Sequence, residues 1–256
     1  MRGALALEHL SQMEDGRLAY RMKCPLPDGT TRLFFTGLTG WSVLARKEMD
    51  MDEKVTAVLD AYHERMKLEH QRMFEGAYEG DPNWRDQVLL EVGPQTGQLI
   101  NILVRSLPAP RILELGTSYG YSTIWLAEAA RETRGHVTTM ELQDYKSAHA
   151  REMATKAGLA DHIDFKVGDA VRMIAELPSG LDFVLVDLWK DLYEPCLRAF
   201  HPKLNPGAII VADNMLRPGG EEVKRYGRAV RALPGMRSVL LPVGSGIEVS
   251  RFEPEG

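Results

Sequence analysis

The spacing of apolar residues changes period along the chain, and each change marks a new kind of element. Residues 15–37 alternate apolar and polar side chains around Pro27-Asp28-Gly29. A period of two broken by such a turn predicts a β-hairpin. From residue 52 to about residue 78 the period lengthens. Val55, Val58, Leu59, Tyr62, Met66 and Met73 fall mostly three or four apart, which predicts an amphipathic helix. A polar loop through Asp81, Pro82 and Asn83 separates it from a second predicted helix at residues 96–106.

Beyond Pro110, short apolar runs alternate with helical stretches. Strands are predicted at 111–116, 136–141, 163–167, 181–188 and 208–212, and helices at 121–131, 145–158, 170–177, 193–201 and 221–233. Strands at 237–242 and 246–252 flank Val243-Gly-Ser-Gly246, a connection too short for a crossover, so this pair is antiparallel. The alternation predicts an α/β fold: a doubly wound, mostly parallel seven-stranded Rossmann-like sheet with an antiparallel C-terminal hairpin and N-terminal helices. Ligands of such sheets bind outside the carboxyl ends of the strands.

Composition narrows the function classes. The 256 residues are 44% hydrophobic and 26% charged, which excludes a disordered or fibrous chain. No apolar run approaches the ~20 residues of a membrane span. Residues 1–16 lack the features of a secretory signal, and Cys24 and Cys196 lie far apart in no redox or metal spacing. A reducing cytoplasm is the expected location. The net charge of −5 disfavours nucleic acid as a partner. Lys224, Arg225, Arg228 and Arg231 form a basic stripe at helical spacing, read as a solvated helix face with an anionic partner as the alternative. His63 and His70 share a helix face, but without a third ligand they read as packing or surface histidines.

The chemistry-bearing residues gather at predicted strand ends. Gly116 and Gly120 bracket a loop in a G-x-x-x-G spacing, which differs from the G-x-G-x-x-G of dinucleotide sites and disfavours a dehydrogenase. Glu141 ends the next strand, where a carboxylate accepts ribose hydroxyls. Asp169, after the third, suits an adenine amino group or a helix cap. Asp187 ends the fourth, and Asp213-Asn214 the fifth. Adjacent strand ends lie about 5 Å apart, so these three can converge as oxygen ligands for a hard cation such as Mg²⁺. Capping explains one of them, but not all three beside Lys190.

From Leu90 to its C-terminus the chain resembles the cation-dependent class I O-methyltransferases, and within them the catechol O-methyltransferases. "ILELGTSYGYS", "VDLWKDLY" and "ADNMLRPG" carry the likeness. The resemblance implies S-adenosylmethionine as cofactor, Mg²⁺ or another divalent cation, and a small phenolic substrate. It implies Asp187, Asp213 and Asn214 as metal ligands and Lys190 as catalytic base. Cofactor contacts would be Leu90, Val92, Gly116, Ser118, Ser122, Glu141, Leu142, Asp169, Ala170, Asp187 and Trp189. Trp189, Lys190, Asn214 and Pro218 would meet the substrate. Val88 stands where those enzymes carry a wall tryptophan, and their late hydroxyl-holding glutamate has no counterpart, since Glu248 aligns outside that spot. Both departures predict an open, permissive pocket. Methylation of a hydroxylated uridine in tRNA and a non-enzymatic adenosine-nucleotide sensor are the rival readings. The expected state is a monomer or homodimer.

Residues 49–256 are the expected methyltransferase domain. Residues 1–48 hold none of these motifs and weakly resemble the C-terminal end of insertion-sequence transposases. They are read as a peripheral or non-native extension, with Met49 or Met51 as the expected native start.

Overall fold

The computed structural model describes residues 6–12, 18–25, 31–37 and 51–254. The chain divides into two compact units, residues 1–52 and 53–256. In the first, β1 (Ala6–Gln12), β2 (Leu18–Pro25) and β3 (Thr31–Gly37) pair antiparallel in chain order. The last two are the arms of the expected hairpin, whose Pro-Asp-Gly turn lies outside the described residues. The strand β1 was not anticipated, because its pairing skips Glu8 and the alternation breaks there.

The second unit opens with α1 (Glu53–Phe74) and α2 (Pro94–Arg105). In α1 the apolar stripe packs as expected at Val55, Val58, Leu59, Tyr62 and Met66, while Met73 in the last turn stays exposed. Strands and helices then alternate: β4 (Arg111–Leu115), α3 (Tyr121–Thr133), β5 (His136–Glu141), α4 (Asp144–Lys156), β6 (Ile163–Val167), α5 (Ala170–Glu176), β7 (Leu181–Val186), α6 (Tyr193–Phe200), β8 (Leu204–Ala212) and α7 (Glu221–Ala232). The chain closes with β9 (Met236–Leu241) and β10 (Ile247–Phe252). Strand β8 begins four residues earlier than its apolar run suggested. Asn205-Pro206-Gly207 reads as a turn, yet Leu204 still pairs with Leu181 across a register shift.

The seven strands run in the order β6-β5-β4-β7-β8-β10-β9, parallel except at β10, which is antiparallel to both neighbours. Strands β4, β7 and β8 are largely buried and mostly apolar, with Glu114 the charged residue enclosed in β4. Helices α1 to α4 pack with one another, and α5 to α7 form a second packed group. The second group closes over Val184, Val186 and Ile210 with Tyr193, Cys196, Phe200, Tyr226 and Val230.

The register sets up the site. Leu115 pairs with Met140 and with Val186, and Val186 with Ala212. The next residues, Gly116, Glu141, Asp187 and Asp213, therefore stand in one row along the carboxyl edge. The chain reverses direction across the sheet between β4 and β7, and Gly116 and Asp187 meet at that switch point. Asp187 N–H donates to the Leu115 carbonyl at 2.9 Å. A Cβ at Gly116 would fall on the Asp187 carbonyl oxygen, and its φ of 98° is left-handed. Both facts demand glycine.

Beneath that row lies Glu114, fully buried. It accepts from Ser122 Oγ at 2.6 Å, Thr123 Oγ1 at 2.6 Å and Thr139 Oγ1 at 2.5 Å. Burial pushes its carboxyl up to about 7 from an ordinary 4.5, against the pull of the three hydroxyl donors.

Two outcomes are expected. Gly116→Ala should cost at least ~2 kcal/mol by chemical denaturation, combining a left-handed alanine with overpacking against backbone. A variant as stable as the parent would show that the close approach is not rigid. For Glu114, the raised pKa means that the protonated form favours the fold. Its contribution is fully present below about 4.5 and is lost as pH rises through about 7. The melting temperature of the protein without added metal should fall over that window, and Glu114→Gln should flatten part of the fall. An unchanged slope in the variant would remove Glu114 as its source.

Candidate active site

The glycine loop between β4 and α3 is held from both sides. Gly116 and Thr117 N–H donate to the Met140 carbonyl at 3.0 and 3.2 Å. Ser118, at a left-handed φ of 46°, donates its N–H to Glu141 Oε2 at 2.7 Å and its hydroxyl to the Leu89 carbonyl at 2.7 Å. The other Glu141 oxygen accepts from Leu142 and Gln143 N–H at 2.9 and 3.1 Å. A carboxylate has about four acceptor sites, so Glu141 retains capacity for a ribose hydroxyl. Leu142 beside it is 64% exposed, an apolar surface ready to cover a base.

The remaining cofactor candidates fall into two sets. Leu90 is exposed at φ 50°, and Val92 buries its side chain, so Val92 offers only backbone outward. Asp169 caps α5 by accepting from Arg172 N–H at 2.9 Å, with Ala170 the first residue of that helix. Capping uses one oxygen and leaves the other. Ser122 is buried and spends its hydroxyl proton on Glu114. Segment 84–92, which carries Leu90, is clamped to α1 and to the glycine loop. Glu69 accepts from Leu89 N–H at 2.9 Å, and Tyr119 donates to the Asp86 carbonyl at 2.8 Å.

The second half of the site brings Asp187, Lys190, Asp213 and Asn214 together. Lys190 Nζ donates to Asn214 Oδ1, to Asp187 Oδ1 at 3.4 Å, to the Leu188 carbonyl at 3.2 Å and to Tyr193 Oη at 2.8 Å. Tyr193 in turn donates to the Asp213 carbonyl at 3.1 Å. Asp213 is fully buried, and Ser245 Oγ donates to its Oδ1. Burial first, and then the neighbouring Asp187 charge, push Asp213 up to about 7. Asp187 is raised by burial, with Lys190 pulling the other way. Two carboxylates at adjacent strand ends, Asp213 buried and Asp187 partly so, ask for positive charge, and the ammonium already supplies one. Two carboxylates and an amide oxygen, with no His or Cys among them, are hard-cation donors. The residues present fit a divalent metal such as Mg²⁺.

Trp189, 53% exposed, and Pro218, also exposed, lie on the loops that follow β7 and β8. Sequence reasoning missed Ser245, Tyr193 and Glu114. Ser245 was visible only as a turn residue, Tyr193 only as a helix start, and Glu114 only as part of a strand.

Several expectations resolve here. His63 is buried at 2.9 Å from Tyr121 Oη, and His70 lies 3.3 Å from Glu91, so both are packing or surface histidines. Among the described residues no group of three or more His, Cys, Asp and Glu could hold a metal. In the basic stripe, Lys224 pairs with Glu221 at 2.7 Å and Arg231 with buried Glu248 at 2.6 Å. Val88 is only 2% exposed, so its small side chain opens no pocket. Glu248 is spent on Arg231 and holds no hydroxyl.

Residues 83–252 match the family model described as O-methyltransferase. A catechol O-methyltransferase of Mycobacterium tuberculosis is 36% identical over 132 residues, which is 51% of this chain and 60% of that protein. Caffeoyl-CoA O-methyltransferase 1 of Eucalyptus globulus is 27% identical over 185 residues, 64% of this chain and 75% of that protein. The chain thus spans 60% of the length of the first of these relatives. The crystal structure of cofactor-bound Rv0187 from MTB matches with a TM-score of 0.65 at 25% identity, covering 84% of this chain and 96% of that one. The O-methyltransferase TomG from Streptomyces achromogenes, in complex with SAM, shares the fold with a TM-score of 0.64 at 24% identity, over 83% and 95% of the two chains. The family match takes in the whole seven-stranded sheet and every strand end described above, and the chain belongs to the O-methyltransferase family.

Proposed function

We propose that the chain is a cytoplasmic enzyme that methylates one hydroxyl of a catechol-type small molecule, with S-adenosylmethionine as donor, Mg²⁺ as metal and Lys190 as general base. One observation carries the reading. A lysine head is seated among Asp187, Asp213 and Asn214, at the switch point and beside the glycine loop. All of these groups belong to the unit of residues 53–256, where we place the activity. The relatives named for catechol and caffeoyl-CoA support an ortho-dihydroxyphenyl acceptor.

Each residue has a task that follows from its surroundings. Glu141 orients the loop through Ser118 and keeps acceptor capacity for ribose. Asp187, Asp213 and Asn214 would hold the metal. Mg²⁺ bound there would supply the positive charge that ionises a vicinal diol, and S-adenosylmethionine the electrophilic methyl. Lys190 beside a second positive charge loses its proton more readily, by the like-charge effect. In its neutral form it accepts the phenol proton at Nζ. Tyr193 commits its own proton to the Asp213 carbonyl, so its oxygen holds Nζ over the site in either charge state. Trp189 supplies an exposed ring to cover the acceptor. Fixing two reactants in this geometry lowers the barrier by ~7–11 kcal/mol, more than proton transfer to Lys190 can contribute.

The basic stripe is the feature that favours a tRNA substrate. Its charges at Lys224 and Arg231 are already paired with Glu221 and Glu248. A steep loss of RNA binding with salt would mark that alternative. An adenosine-nucleotide sensor would show binding without turnover.

Turnover of a catechol panel, followed by S-adenosylhomocysteine release, should stop in EDTA and return with Mg²⁺. Asp213→Ala should stay inactive with Mg²⁺ while still binding S-adenosylmethionine by calorimetry. Monophenols, which cannot chelate, should not react. Full activity in excess chelator overturns the metal reading.

Lys190→Met should lower kcat by about 10²–10⁴-fold with little change in cofactor affinity. Lys190→Arg should not rescue, since a guanidinium keeps its proton. Partial recovery of Lys190→Met at higher pH is expected, as solvent hydroxide ionises the acceptor. Near-parental kcat at neutral pH would make Lys190 a structural counter-charge rather than the base.

A further inference from the structure

The turn between β9 and β10 reaches the site through one side chain. Ser245 Oγ donates to Asp213 Oδ1 and accepts from Asn214 twice, from the backbone N–H and from Nδ2, each at 3.1 Å. An asparagine amide has an oxygen at one end and two N–H donors at the other, and only the oxygen can meet a cation. Here the Nδ2 end faces two acceptors, Ser245 Oγ and, at 3.4 Å, Asp213 Oδ2. The Oδ1 end faces Lys190 Nζ. Because the serine proton is committed to Asp213, Ser245 presents only lone pairs toward Asn214. A flipped amide would set its oxygen against those lone pairs and against the Asp213 carboxylate.

We propose that Ser245 is a positioning residue whose hydroxyl fixes the oxygen end of the Asn214 amide, and the Asp213 carboxylate with it, toward the cation. The inference rests on the divalent-cation reading above.

The backbone holds the hydroxyl in place. Asn214 sits at a left-handed φ of 56°, a conformation asparagine tolerates better than most residues. The N–H groups of Met215 and Arg217 both donate into the turn at 2.8 Å, to the Gly246 and Ser245 carbonyls. On either side of Ser245 stand glycines at φ 56° and 90°. A Cβ at Gly244 would lie 2.5 Å from Thr96 Oγ1, and one at Gly246 would fall on the Leu216 side chain. The turn is thus seated on α2 from one side and on the β8 loop from the other. Nothing in its local sequence but the serine carries a side-chain donor or acceptor, since the turn reads Pro-Val-Gly-Ser-Gly.

The test is direct binding of Mn²⁺ to the full chain, read from the electron paramagnetic resonance signal of the free ion. S-adenosylhomocysteine affinity by calorimetry serves as the control for folding. Ser245→Ala should raise the Kd for Mn²⁺ by about 10–100-fold, the usual effect of removing a partner of a metal ligand, and leave the control unchanged. Ser245→Thr keeps the hydroxyl and should retain tight binding, whereas its near-isostere Ser245→Val should bind as weakly as the alanine variant. Should Ser245→Ala fail the folding control, the Thr and Val pair decides by itself. Equal Mn²⁺ affinity in parent and Ser245→Ala, or in the Thr and Val variants, overturns the inference and leaves the metal reading standing. A parent chain that binds no Mn²⁺ overturns the metal reading and this inference with it.

Discussion

Two carboxylates set at adjacent strand ends, one of them fully buried, dictate most of what surrounds them. The pairing of Val186 with Ala212 puts Asp187 and Asp213 at neighbouring strand ends, Asp213 fully buried and Asp187 partly so. Each is held above its ordinary pKa, first by burial, and Asp213 also by the charge of Asp187. Unscreened, such a pair favours protonation or unfolding. Several neighbours act against that cost or hold the pair in place. Lys190 brings a positive charge, Ser245 donates to one Asp213 oxygen, and Tyr193 satisfies the Asp213 carbonyl. The same concentration of negative charge is what the proposed divalent cation would neutralise. Stability and chemistry therefore make the same demand here.

The cofactor half of the site is joined to this charge pair through backbone rather than side chains. Gly116 lies against the Asp187 carbonyl, so the glycine loop cannot shift without moving the end of β7. From there the row continues to Glu141, which holds Ser118 and leaves Leu142 exposed. The donor methyl and the acceptor oxygen of a methyl transfer must approach in line. A parallel sheet provides that alignment cheaply, because strand ends one residue beyond the pairing register fall on one edge. The direction change between β4 and β7 opens the crevice at the same place.

Much of this was legible in the sequence, for physical reasons that vary by element. Strands β5 and β6 match their expected bounds residue for residue: Gly135 precedes the first and Gly168 follows the second, and both are short stretches rich in β-branched or alternating apolar residues. Asp187, Asp213, Lys190 and Asn214 could be brought together on topology alone, since strand ends in a doubly wound sheet converge whatever lies between them. The start of β8 was hidden because a Pro-Gly pair can sit inside an irregular strand as well as in a turn. Val88 was misjudged because burial at a loop position depends on distant chain packed over it, and no local pattern encodes that. Ser245 was invisible for a related reason. It lies 31 residues from Asn214, and its hydroxyl acquires a role only when an antiparallel hairpin folds back beside β8.

Lysine rather than arginine at position 190 follows from the same crowding. The head must fit among the Asn214 amide, the Leu188 carbonyl and the Tyr193 hydroxyl, which surround a single nitrogen. A planar guanidinium needs a broader slot and holds its charge at any working pH. An ammonium is compact and fits that slot. Lys190 compensates Asp187 and Asp213 as a cation and, in the proposed reaction, would serve as a base as an amine, using one set of hydrogen-bond partners. Tyr193 accepts from either form, so the change of charge needs no change of place.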